Sequence, residues 1–160
     1  MKIRKICSKK VMKNPNKRLF WFLFFSVTVL DQLSKWCAEM YLSGRNITVN
    51  QWLSFQLSYN TGCAWGMFSN YTLTLGLLGL IFLIIVFLFR KTIGLYQSIC
   101  LPLMLGGVLG NVIDRLCRGR VIDFISINLQ IYQWPVFNVA DVAVCISAIG
   151  LICFSSERKY

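Results

Sequence analysis

The stretch YTLTLGLLGLIFLIIVFLF, residues 71–89, runs for nineteen residues without a charge. About 20 apolar residues suffice for a helix to cross ~30 Å of hydrocarbon. Three further stretches long enough to cross surround it, at about 19–42, 94–113 and 136–155. The fold class expected from these four runs is an all-α membrane protein with four transmembrane helices. Composition agrees. Of 160 residues, 56% are hydrophobic and 14% charged. A soluble domain of this length could not hide that much apolar surface, so lipid must cover it. No internal repeat divides the chain, and 1–160 reads as one membrane-embedded domain.

The basic residues orient the spans. The net charge is +11, and eight of the seventeen Lys and Arg residues fall within positions 1–18. A nucleic-acid-binding tail is one reading of such a cluster. A cytoplasmic flank is the better one, because an apolar run follows at once. A signal peptide also combines a basic region with an apolar one. No small-x-small cleavage site follows this run, which continues into Asp31-Gln32-Leu33-Ser34-Lys35-Trp36 and reads as a helix that stays. Arg90-Lys91 and Arg158-Lys159 mark two more cytoplasmic ends. Both termini are then cytoplasmic, and segments 43–70 and 114–135 lie outside. Arg115, Arg118 and Arg120 sit on the outer side against this trend, where Asp114, Asp123 or lipid phosphates can pair with them.

Within the first outer segment, residues 53–60 (LSFQLSYN) alternate apolar and polar, the period of a half-buried strand. Asn60-Thr61-Gly62 then reads as a turn, and a small amphipathic sheet on the outer face is expected. Trp52, Trp65, Phe68, Tyr71, Tyr132 and Trp134 fall at the outer interface as an aromatic belt. In the third span Gly106 and Gly110 form a G-x-x-x-G that lets another helix come close.

The absence of histidine removes Ser-His-Asp and Cys-His catalysis and most zinc sites. The seven cysteines are odd in number and irregularly spaced. Cys100, Cys145 and Cys153 lie in apolar runs and behave as small hydrophobes. Carboxylates remain. Only six acidic residues exist, and Asp114, Asp123 and Asp141 gather around the outer ends of spans three and four. Two segments share the pattern N-x-x-D, Asn111 to Asp114 and Asn138 to Asp141, and each asparagine is placed to hold its aspartate on one helical face. Asp141 is expected about five residues into the fourth span, roughly 7 Å below its end. Asp123 lies in the apolar stretch Val121-Ile122-Asp123-Phe124-Ile125. Two desolvated carboxylates near each other cannot both ionise cheaply. One keeps a proton, and the pair can then activate water and polarise a carbonyl. Spacing alone fits two other readings as well: helix caps and arginine partners, or an ion relay in a small membrane transporter. Asp31, Lys35 and Glu39 stack on one face of the first span and read first as a helix-packing ion pair, with a supporting role near a site second.

Five segments taken in order go further. Leu30 to Lys35, Tyr59 to Trp65, Gly110 to Arg115, Val121 to Ile125 and Phe137 to Asp141 together closely resemble the bacterial lipoprotein signal peptidase (signal peptidase II) family. Each motif alone is weak; the five in order, with this topology, are specific. The resemblance covers nearly everything after the basic tail. It implies four transmembrane helices and a small extracytoplasmic β-cradle in a bacterial inner membrane. It implies cleavage of diacylglyceryl-modified prolipoproteins just before the lipidated cysteine. The catalytic pair would be Asp123 and Asp141, supported by Asp31, Lys35, Asn60, Asn111, Asp114, Arg115 and Asn138. Prolipoproteins and membrane lipid are the expected partners, the protein is expected to be a monomer, and no cofactor, metal or nucleic acid is expected. Cys63 and Trp65 depart from the alanine and phenylalanine usual in the family, away from the pair.

Overall fold

The computed structural model describes residues 17–63, 67–89 and 97–155. Residues 1–16 of the basic tail, Trp65 of the aromatic belt, Arg90-Lys91 and Arg158-Lys159 lie outside the described residues. Four helices and three strands follow in the order α1 (Lys17–Leu42), β1 (Asn46–Thr48), β2 (Leu53–Asn60), α2 (Thr72–Phe89), α3 (Gln97–Ile113), β3 (Val121–Ile127) and α4 (Val139–Ser155). A π-turn over Asp114–Arg118 extends α3, and Gly119, at φ 70°, ends it.

Thr72–Phe89 and Ser98–Arg118 are long and apolar enough to cross a membrane; Val139–Cys153 is apolar but shorter. The 26-residue α1 carries Asp31, Lys35 and Glu39 amid its apolar residues. It packs against α3 and α4.

Helix α3 runs between α1 and α4 because its glycines permit backbone contact. A Cβ on Gly106 would stand 2.6 Å from the Phe24 carbonyl oxygen in α1. One on Gly107 would stand 2.6 Å from the Ala140 carbonyl oxygen in α4. The G-x-x-x-G of the sequence is therefore the α1 contact, and the adjacent glycine serves α4. Thr28 of α1 donates to the Gly106 carbonyl at 3.1 Å, tying the same crossing. Phe20, Phe24, Leu83, Leu105 and Val112 pack where α1, α2 and α3 meet.

The sheet has the order β1-β2-β3 and is antiparallel throughout. The strand read from alternation, 53–60, is β2. Its burial does not alternate: all its residues but Tyr59 are half-buried. The third strand, 121–127, reads in the sequence only as an apolar stretch. Its first four residues are all buried, so it has no polar face to betray its period. Ala38, Leu42 and Phe124 join α1 to the underside of this sheet.

The fourth helix begins at Val139, later than the 136 expected. Phe137 is taken up by a bridge to Ile125 of β3. Asp141 therefore lies in the first turn of α4 and not about five residues inside it.

Candidate active site

Asn138 stands immediately before α4, in the N-cap position, where the first amides of a helix lack intrahelical acceptors. Its Oδ1 accepts the Asp141 backbone N–H at 2.9 Å, and Asp141 Oδ2 accepts the Asn138 backbone N–H at 3.2 Å. This reciprocal capping pair is what N-x-x-D encodes here. Cap formation consumes Asn138 Oδ1 and leaves Nδ2 to face outward from the helix end. That amide donates to Asp123 Oδ1 at 2.7 Å, to Asn111 Oδ1 at 3.2 Å and to the Ile122 carbonyl at 3.3 Å.

Asp123 comes from β3. Antiparallel pairing sets Asn60 of β2 opposite Val121 and Ser58 opposite Asp123. Asn60 Nδ2 thereby reaches Asp123 Oδ2 at 3.1 Å. Each oxygen of this carboxylate has one amide donor. Only 3% of Asp123 is exposed. Burial pushes its carboxyl from 3.8 up to about 6, and the charge of Asp141 pushes the same way, against the two amides.

The second N-x-x-D behaves differently. Asn111 does not hold Asp114; its Nδ2 reaches across to α4 and donates to Asp141 Oδ1 at 2.8 Å. At the end of α3 the chain is turning into the π-turn, and Asp114 faces an adjoining cluster in which it, Asp31 and Lys35 are fully buried. There Lys35 Nζ lies 2.8 Å from Asp31 Oδ2 and 2.8 Å from Asp114 Oδ2. Arg118, one turn on from Asp114, pairs with its other oxygen. Asp114 Oδ2 also accepts the Ile122 backbone N–H at 3.2 Å, fixing the start of β3. Asp31 Oδ1 accepts the Ala140 N–H at 2.9 Å and so caps α4 from a distant helix. The Asp31–Lys35 pair is thus a packing ion pair that also reaches the site. Glu39, third in that stripe, is half-buried and joins no ion pair among the described residues.

Arg115 adjoins Asp114 in the sequence, but it turns the other way. Its guanidinium donates to the Gly62 carbonyl at 2.9 Å and lies within electrostatic reach of Asp141 and Asp123. Its Nε is buried without a partner. The same residue forms part of an open cavity with Thr61, Asn70, Thr72, Leu116 and Gly119. Arg120, offered above as a carboxylate partner, sits over the Tyr59 ring at 3.6 Å.

Every sequence-derived site residue falls within this one assembly. Two members were not foreseen. Gln32 donates to Asp114 Oδ1 at 3.1 Å and to the Gly110 carbonyl at 3.1 Å, while accepting from Arg118 at 2.8 Å. Its place beside Asp31 was the available signal. Arg118, four residues after Asp114, was legible only as one of several outer arginines.

Comparison with known proteins gives the family of the chain. The family model described as Signal peptidase (SPase) II matches residues 23–156. The chain belongs to the signal peptidase II family. It is 38% identical to the lipoprotein signal peptidase of Polynucleobacter necessarius subsp. necessarius (strain STIR1), over 92% of this chain and 94% of that protein. It is 34% identical to the lipoprotein signal peptidase of Bacillus velezensis, over 88% and 97%. Two solved bacterial membrane enzymes share the fold. One has a TM-score of 0.76 at 30% identity over 88% and 94% of the chains. The other has a TM-score of 0.71 at 28% identity over 88% and 89%. As a signal peptidase II the chain is an aspartic peptidase of a bacterial membrane, acting in the cleavage of lipoprotein signal peptides. Nothing in these relationships supports the transporter reading.

Proposed function

We propose that Asp123 and Asp141 are the catalytic carboxylates. The observation that carries this reading is their freedom from ion pairs. Asp31 and Asp114 are fully buried and locked to Lys35, whereas Asp123 and Asp141 accept hydrogen bonds only from neutral amides, with the charges of Arg115 and Lys35 acting on them from beyond ion-pair distance. Around the site four carboxylates (Asp31, Asp114, Asp123, Asp141) face three cations (Lys35, Arg115, Arg118). One proton on the pair balances the charge. Asp123, pushed up to about 6, is the member that holds it.

The chemistry follows from that split. Ionised Asp141 takes a proton from water as the water oxygen attacks the scissile carbonyl carbon. The Asp123 acid hydrogen-bonds to the carbonyl oxygen and passes it the proton as the tetrahedral diol forms. The proton on Asp141 then goes to the departing amide nitrogen, the diol returns its proton to Asp123, and the C–N bond breaks.

The proposed setting is the outer membrane surface. All four helices form the spans, with both termini cytoplasmic, and 1–160 acts as a single domain and a monomer. The apolar side chains exposed on three separate helices support this: Phe22, Leu30 and Leu33 on α1, Leu73, Leu78 and Leu88 on α2, Ile146, Ile149 and Ile152 on α4. A soluble surface would not carry such stripes. Trp52, Phe68, Tyr71, Tyr132 and Trp134 are exposed near the sheet, as residues at a headgroup layer would be. The proposed substrate is a diacylglyceryl-modified prolipoprotein cut just before the lipidated cysteine. Its acyl chains would lie in the bilayer beside the spans and fix the depth of the scissile bond. A gel-shift assay with purified protein tests this. Lipidated prolipoprotein should be shortened and its unlipidated form left intact; equal cleavage of both would contradict the substrate assignment.

A further inference from the structure

Lys35 does more than neutralise acids. An ammonium has three N–H donors, and the three short contacts of Lys35 Nζ use all of them: Asp31 Oδ2 and Asp114 Oδ2 at 2.8 Å and Asn111 Oδ1 at 2.9 Å. The third acceptor is the only neutral one. A carboxamide has an oxygen end and an NH2 end of nearly equal size, and its hydrogen bonds decide which way it points. A fully buried ammonium accepts nothing, so the Asn111 end that meets Lys35 must be the oxygen. The Asn138 amide donates to that same oxygen at 3.2 Å. The NH2 end is thereby forced toward Asp141, where Nδ2 lies 2.8 Å from Oδ1.

We propose that Lys35 is a positioning residue that sets the polarity of Asn111, so that Asp141 faces an N–H donor and never an amide oxygen. This rests on the reading of Asp123 and Asp141 as the catalytic pair. Asn138 is pinned independently, by the Asp141 backbone N–H on its oxygen. Asn60 is pinned likewise, by the Gly62 N–H on its oxygen, so all three amides around the pair turn their N–H donors to it. With Lys35 removed, the Asn111 oxygen keeps only the Asn138 amide at 3.2 Å, a donor shared with Asp123 and the Ile122 carbonyl, and Asn111 can then turn its oxygen toward Asp141. A carboxyl facing an oxygen favours its protonated form, and a protonated Asp141 cannot take a proton from water. The charged groups facing this region are Asp31 and Lys35 on α1, Asp114, Arg115 and Arg118 on the π-turn, Asp123 on β3 and Asp141 on α4.

Lys35→Met alone leaves the buried Asp31 and Asp114 short of a cation, which endangers folding itself. The test therefore compares Asp31→Asn with the charge-compensated Asp31→Asn/Lys35→Met, at matched membrane abundance, with a lipidated prolipoprotein. In both variants the carboxamide at position 31 still offers an oxygen to the Ala140 N–H. Relative to Asp31→Asn, the double variant should lose about ten- to a hundredfold in kcat, the range of one charge-assisted hydrogen bond. KM should change less than about twofold, and the acid limb of kcat against pH should move to higher pH. A purely structural lysine would move abundance and leave the pH limb in place. Equal kcat and an unmoved limb in the two variants would overturn the proposal. If the double variant does not accumulate, Asn111→Asp decides. It keeps an oxygen for Lys35 and puts an oxygen against Asp141, so a similar loss of kcat is expected, and wild-type kcat would overturn the proposal. Turnover by Asp141→Asn would instead refute the catalytic pair itself.

Discussion

Asn138 holds Asp141 through a local cap and Asp123 through a long-range contact, and only the first was legible in the sequence. A repeat of N-x-x-D announces residues three apart on a helix, which is sound for Asn138 and Asp141. The same pattern misleads at Asn111, whose partners Lys35 and Asp141 come from two other helices. Sequence spacing carries no record of such contacts: it brought Asn111 toward the site with the wrong partner, and Lys35 only as one member of a helix-packing ion pair. Asp123 has a measurable consequence of its own. A carboxyl that ordinarily titrates at 3.8 and keeps its proton to about 6 in the fold makes the folded protein the better proton binder between those values. Stability therefore falls as pH rises through that window, and the loss is complete above it. Asp123→Asn removes the cost. The variant should be more stable than wild type at pH 7.5, by about 3 kcal/mol, and no more stable at pH 3.5. Thermal unfolding in detergent at the two pH values measures this. For activity the sign is the same: kcat/KM should fall as pH rises through about 6, where the acid partner loses its proton.

At the scale of elements, the helices announced themselves by length and hydropathy and β2 by alternation. Strand β3 did not, because a strand buried on both faces reads as a plain apolar run. Nor did the π-turn, whose single wide turn sends Asp114 inward and Arg115 toward the cavity. The glycines of α3 read as packing residues, and they are. One of them also belongs to the site. A Cβ added to Gly110 would run into the Asp31 carboxylate, with the Asp31 Cγ at 3.0 Å. That carboxylate caps α4 at Ala140 and holds Lys35. Gly110→Ala should therefore cost about 1–3 kcal/mol, as overpacking does, and lower turnover by displacing the first turn of α4. Melting temperature and activity of the purified variant report the two effects. Wild-type values for both would show that the α1–α3 crossing has slack that its geometry denies.

The whole molecule unites a carboxylate pair, a buried ionic brace and a sheet at one end of a helical bundle, where a lipid-anchored substrate would present its peptide bond. Charge asymmetry in the sequence sets the expected orientation. In single-cysteine variants, an impermeant thiol reagent added to intact cells should modify Cys63, which is half-buried beside the site. It should leave Cys7, in the basic tail, unmodified until the membrane is opened. Labelling of Cys7 from outside would reverse the topology and put the site on the wrong face. The catalytic pair is the claim on which the rest depends, and turnover of a lipidated prolipoprotein at matched membrane abundance tests it most directly. Asp123→Asn and Asp141→Asn should each abolish cleavage while inserting normally. The double variant should be no worse than either, because the pair works as a unit around one proton. Asp114→Asn, which weakens the ion pairs to Lys35 and Arg118, should lower turnover or abundance without removing cleavage. Normal cleavage by Asp123→Asn together with a dead Asp114→Asn would contradict the account and make Asp114 the partner of Asp141.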